Sequence, residues 1–178
     1  MKLIRDLLLF DIQTTGQDPD RDAIIQLAAV LLDKDNLLEK QFFNSYVRVS
    51  LLDSTLLNHS AMLGIAFKEL RASPKAADVF KHFHDTFGAQ VILSCHYLAN
   101  AFFLKNAYKK YLIPFEFDYH ILDIWTLGYV YLLSFGLKKM PTFNSLLDHF
   151  GLKLSHPQNA LERVRLEAEV LRRIITHA

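Results

Sequence analysis

Leu7 to Ile12 is an unbroken apolar run whose single charge, Asp11, stands near its end. A strand of that composition is buried on both faces, because it lacks the alternation of a half-exposed strand. It therefore belongs inside a sheet with a covering layer on each side. Two more stretches are β-rich, Ala23 to Leu32 and Phe42 to Val49, and Thr14-Thr15-Gly16 with Asp18-Pro19-Asp20 make the turn after the first run. Helical signals then take over. Ser73-Pro74 predicts a helix to about Phe87, with Ser73 as N-cap, Pro74 at the first helical position and Gly88 as the stop. Val91 to Ser94 reads as a short buried strand, Tyr97 to Leu112 as a helix stopped by Pro114, and Tyr119 to Asp123 as a fifth strand. Ile124 to Leu133, Pro141 to Phe150 and Gln158 to Ile175 are the remaining helices, the last with Ala160, Val164, Ala168 and Leu171 on one face. Tight connections among the first three strands predict an antiparallel meander, and the later crossover helices predict parallel pairing. The expected fold class is α/β. It is a mixed five-stranded sheet flanked by helices on both faces, with the strand of Asp11 at its centre, in one domain spanning 1–178.

Composition narrows the function classes. Hydrophobic residues make up 51% of 178, which suits a packed globule. The net charge is +1, so any nucleic-acid contact has to come from a local patch. The single cysteine, Cys95, allows no internal disulfide and suits a reducing compartment. Lys2 and Arg5 precede the Leu7–Phe10 run, but Asp6 and Asp11 bracket it, so a signal peptide is not expected. The longest uncharged stretch, Ile124 to Leu137, is too short to cross a bilayer. The expectation is a cytoplasmic protein with no membrane association.

Asp11 and Gln13 lie two apart at the end of a strand and so share a face. Two-metal phosphodiester hydrolysis places carboxylates in this way, holding the ions against a scissile phosphate. The surrounding residues strengthen the signal. Phe10-Asp11-Ile12-Gln13-Thr14-Thr15-Gly16 resembles the first motif of the DEDDh 3′–5′ exonucleases, F-D-x-E-T-T-G. Ile24-Ile25-Gln26-Leu27-Ala28-Ala29-Val30 is similar to the family's second strand, I-I-E-I-A-A-V. Leu63-Gly64-Ile65 and Leu70-Arg71-Ala72-Ser73-Pro74 resemble H-G-I and L-x-x-A-P. Cys95 to Leu104 matches H-N-A-x-F-D-x-x-F-L in register, and Gln158 to Val164 matches H-R-A-L-x-D-A. The resemblance covers nearly the whole chain and implies a ribonuclease H-like fold.

It also implies where the chemistry would stand. The family's Asp, Glu, Asp, His and Asp fall on Asp11, Gln13, Asn100, Gln158 and Arg163. Only Asp11 survives, so the catalytic set is vestigial and Asp11 is at most a weak metal ligand. The family's four carboxylates face two cations with four negative charges, whereas Asp11 and Arg163 sum to zero. A guanidinium ~4 Å from a divalent ion is repelled by roughly 8 kcal/mol at an effective dielectric of ~20. No cofactor is expected, with magnesium or manganese required only if the site is active.

Several other residues carry two readings. Thr14 and Thr15, by the resemblance, and Lys105 on the following helix are candidates for nucleic-acid contact, although a lysine run usually marks a solvated face. His156 is either a displaced base or a loop residue beside Pro157, and the loop reading is preferred. Asp123 is read as a hydrogen-bonding residue rather than a ligand, and Glu167 as an i,i+4 partner of Arg163. The sharper expectation for Arg163 is that it fills the vacated metal space and pairs with Asp11. The functional expectation is an inactive exonuclease-like domain that keeps single-stranded DNA or RNA, or a protein partner, in the old cleft. The alternatives are an active 3′–5′ exonuclease with a rearranged site and a structural or interaction protein, homodimeric in one version.

Overall fold

The computed structural model describes residues 2–48, 65–88, 91–157 and 159–177. In chain order the strands are β1 (Leu7–Thr14), β2 (Ile24–Leu32), β3 (Glu39–Tyr46), β4 (Ile92–Cys95) and β5 (Ile121–Asp123). Among the described residues the helices are α1 (Phe67–Ala72), α2 (Ala76–Phe87), α3 (Ala99–Lys110), α4 (Ile124–Leu133), α5 (Phe143–His149) and α6 (Ala160–His177). The sheet order is β3-β2-β1-β4-β5, which puts the strand of Asp11 at the centre. β1 pairs antiparallel with β2 and parallel with β4. β2 pairs antiparallel with β3, and β4 parallel with β5. The expected meander followed by parallel crossovers is therefore present, in a ribonuclease H-like arrangement.

Alternation along β1 divides the core in two. Leu8, Phe10 and Ile12 pack with Val79, Phe80 and Phe83 of α2 and with Phe103 and Leu104 of α3. Leu7 and Leu9 point the other way, into a layer built with Ile124, Leu146, Val164 and Leu171. Asp11 and Gln13 continue this second set by parity, on the face covered by α6. A strand uniformly apolar up to Ile12 is explained by these two covering layers. No helix among the described residues is long and apolar enough to cross a membrane.

Some boundaries differ from the sequence expectation. Ser73 is not an N-cap. It caps the C-terminus of α1, a helix the sequence did not signal, and its hydroxyl donates to the Glu69 carbonyl at 2.8 Å. The Pro74 carbonyl accepts from the Arg48 N–H at 2.8 Å, and Arg48 bridges to Lys75. That tertiary pairing holds 73–75 extended, so α2 begins only at Ala76. The third strand begins at Glu39 and ends at Tyr46, and Val49 lies outside the described residues. Leu63 and Gly64 also lie outside them.

The second layer depends on one close approach. A Cβ on Gly128 of α4 would stand 2.6 Å from Cδ2 of Leu146, a fully buried side chain of α5. Gly128→Val is therefore expected to lower stability by about 2–3 kcal/mol through overpacking, measured by urea denaturation.

Candidate functional site

The parallel pairing of β1 and β4 brings their C-terminal ends side by side, so α3, which starts after β4, opens beside Asp11. Asn100 is in the first turn of α3 and is buried. α6 crosses the opposite face and presents Arg163 from its own first turn. The three side chains converge. Asn100 Nδ2 donates to Asp11 Oδ1 at 2.9 Å, and Arg163 Nε donates to Asp11 Oδ2 at 2.8 Å. Asp11 is 2% exposed. The Arg163 guanidinium lies 5.6 Å above the Phe143 ring, which adds a cation–π contact. The pairing expected for Arg163 is thus present and direct.

Electrostatics follow from burial. Desolvation pushes the Asp11 carboxyl above its ordinary value of 3.8, while the Arg163 charge and the hydrogen bonds from Asn100 and Arg163 pull it back. Beneath the pair is a group that sequence reasoning misplaced. Glu167 is not a surface partner of Arg163. It is fully buried, with neither carboxylate oxygen in a hydrogen bond of good geometry and the His96 backbone N–H the donor close enough to favour its charge. Burial, and after it the Asp11 charge, raise it well above the ordinary Glu value, with Arg163 opposing. Its neighbour His96 packs against Phe143 at 4.8 Å and is held down to about 4 by burial and by Arg163. The heptad-like series 160, 164, 167, 168, 171 was the available signal, because it places Glu167 on the buried stripe of α6.

A carboxyl with a raised folded-state value binds its proton more tightly when folded, so its contribution to stability falls as pH rises. His96 acts in the opposite sense, but only between about 4 and its ordinary 6.5. Glu167→Gln is expected to be more stable than the parent by a margin that widens above pH 4.5, at up to about 1.4 kcal/mol per pH unit. Paired melting curves across pH check this, since His96 cancels in the difference.

The other expected site residues are distributed unevenly. Gln13, Thr14 and Gly16 line a cleft of about 330 Å³ together with Asp11, Tyr97, Asn100, Phe103 and Arg163. The Thr14 hydroxyl donates to the Gly16 carbonyl at 2.6 Å. Thr15 is turned inward. It is buried, accepts from the Ala23 N–H at 2.9 Å and bonds to Asp22, so it braces the turn. Lys105 stands apart from the cleft lining, with its ammonium 5.5 Å from the Phe115 ring centroid. His156 is exposed and pairs with Glu162 at 3.0 Å, as a loop residue. Asp123 caps α4, accepting from the N–H groups of Trp125 and Thr126. Gln158 lies outside the described residues.

The donor set does not suit a divalent ion. Both Asp11 oxygens accept from nitrogen donors, and a guanidinium fills the space beside them. No group of three or more carboxylate, histidine or cysteine side chains among the described residues is placed to hold a metal.

The Exonuclease family model matches residues 8–168. The chain belongs to this exonuclease family. It is 26% identical over 173 residues to the PolC-type DNA polymerase III of Bacillus subtilis, a match covering 96% of this chain and 11% of the polymerase. A second PolC-type polymerase, from Pediococcus pentosaceus, is 24% identical over 156 residues, covering 86% of this chain and 10% of that protein. The chain thus spans about a tenth of the length of the curated relatives it matches. Among solved structures, E. coli exonuclease I in complex with a dT13 oligonucleotide superposes with a TM-score of 0.82 at 16% identity, covering 97% of this chain and 41% of that one. The nuclease domain of 3′hExo, a DEDDh family member bound to rAMP, gives 0.78 at 16% identity, covering 100% and 96%. The DEDDh-type exonuclease fold is shared.

Proposed function

We propose that this exonuclease-like domain holds single-stranded nucleic acid in the Asp11 cleft without hydrolysing it. The observation that carries the reading is the Asp11–Arg163–Asn100 cluster, in which a guanidinium and an amide take up the buried carboxylate's oxygens. Hydrolysis in such a cleft depends on cations that polarise the phosphate and activate water. Here a phosphate meets a guanidinium, suited to bind a phosphate oxygen but not to generate hydroxide. E. coli exonuclease I was solved with a dT13 oligonucleotide and the 3′hExo nuclease domain with rAMP, which supports a nucleic-acid ligand for a chain of this fold. Tyr97, in the cleft wall and 63% exposed, offers a face on which a base can stack.

The expected result is that the pure protein retains a labelled oligonucleotide in fluorescence polarisation and leaves its length unchanged with magnesium or manganese. Tyr97→Ala is expected to weaken that binding by about 1–3 kcal/mol, the usual worth of one stacked base. Metal-dependent shortening of the oligonucleotide that Asp11→Ala abolishes would sink the proposal.

A further inference from the structure

A second cavity, of about 580 Å³, shares the wall of the Asp11 cleft at Phe103. It opens on the far side of the turn that follows β1, between the start of β2, the end of β3 and helices α2 and α3. Its floor is apolar and aromatic. Phe80 and Tyr111 stack there with ring centroids 5.7 Å apart and planes 23° from parallel; Phe80 is 2% exposed, so the half-buried Tyr111 is the ring of this pair open to a ligand. Its rim carries Arg21, Arg48, Lys109 and Lys110 against Asp20 and Asp22, but Arg21 pairs with Asp18 at 3.5 Å and Arg48 Nε donates to the Ser73 carbonyl at 2.8 Å, so the two lysines are the cations it offers. The two carboxylates are fixed in place by neutral donors. Asp22 accepts from the Asp18 N–H at 2.8 Å and contacts Thr15, and Asp20 accepts from Asn106 at 2.7 Å. Lys109 and Lys110 are exposed, and no described carboxylate stands within ion-pair distance of either. Two lysines without an ion-pair partner among the described residues, one of them 5.8 Å from the Tyr111 ring centroid, are complementary to a chain that alternates phosphates with flat bases.

We infer that this cavity is a second nucleotide-binding compartment, receiving the continuation of a single strand whose end occupies the Asp11 cleft. The inference rests on the cleft reading proposed above and extends it. Phe103 is the partition between the two compartments, Tyr97 serves the first, and the Lys109–Lys110 pair meets the phosphates entering the second. A lysine pair in the last turn of α3 also complements the helix dipole, but that role is satisfied without a cavity beside it.

The test compares oligothymidylates of about two and about eight nucleotides by fluorescence polarisation across a salt series. The variants are Lys109→Glu/Lys110→Glu and, as a control, Lys34→Glu, which lies at the opposite end of the sheet. The longer strand is expected to bind the parent more tightly. The double variant should remove that advantage, leave the short strand's affinity unchanged and lower the salt slope by roughly 1.4, the loss of two phosphate contacts on a single strand. The Lys34→Glu protein should behave as the parent. If both strands bind equally and Tyr97→Ala weakens both alike, the second compartment is refuted while the cleft reading stands. Equal losses of affinity in the double variant and the control refute the second compartment in the same way. If neither strand binds the parent, the cleft reading fails and the second compartment fails with it.

Discussion

Arg163→Ala is expected to lower the unfolding free energy by about 3 kcal/mol at neutral pH, because it strands a carboxylate that is 2% exposed. The guanidinium itself is about a quarter exposed, at 26%, which keeps the expected loss at the lower end of the range for breaking a buried pair. Two comparisons separate a buried-charge effect from simple loss of packing against Phe143. In an Asp11→Asn background the same substitution should cost much less, because no charge is left behind. In the native background the deficit should shrink as pH falls. The Asp11 carboxyl is already raised by burial, and removing Arg163 removes the first of the influences that hold it down. A carboxyl so raised takes up a proton in the folded state at higher pH than in the unfolded state, so acid relieves the variant. Equal losses in the two backgrounds, unchanged between neutral and acid pH, would show that Arg163 contributes only contact area.

The fold was legible because its strongest determinants are local. A strand apolar at every position needs two covering layers, and β1 has them. The turns after β1 and β2 are too short for crossovers, so the meander was forced, and the order of the remaining elements left parallel pairing for β4 and β5. Ser73-Pro74 misled because its cap chemistry is real, but the Pro74 carbonyl is taken by Arg48 across the fold. No local pattern carries that information. In the site, motif register alone was enough to bring Asp11, Asn100 and Arg163 together over separations of 89 and 152 residues. Glu167 escaped because an i,i+4 acid–base pair is the ordinary meaning of its spacing. Here Arg163 turns away to Asp11, and α6 is rotated so that Glu167 faces inward with Val164 and Leu171. The inward fate of Thr15 has the same origin, since a hydroxyl beside a turn bonds either to the turn or to a ligand, and Ala23 claims it.

The largest expected gain comes from rebuilding the metal site. The protein carrying Gln13→Glu, Asn100→Asp, Gln158→His and Arg163→Asp together is expected to acquire a manganese-dependent rise in Tm, and the parent is expected to show none. At a metal concentration about a hundredfold above Kd, binding to the folded state alone adds roughly 2.7 kcal/mol. The single changes should not do this. Gln13→Glu and Asn100→Asp each leave the guanidinium in place 2.8 Å from Asp11, where it both neutralises the carboxylate and repels a cation. Arg163→Asp alone clears the space but supplies two carboxylates beside an amide, a poor set for a hard divalent ion. The buried Glu167 adds a condition that the sequence did not reveal. Without Arg163 the one charge opposing its elevation is gone, and new carboxylates join Asp11 in raising it further. The metal-free quadruple protein should therefore be less stable than the parent, and adding Glu167→Gln should recover part of the loss while preserving the response to manganese. A quadruple protein that folds, with or without Glu167→Gln, yet melts at the same temperature in manganese and in chelator would show that the backbone frame no longer fits a two-metal site.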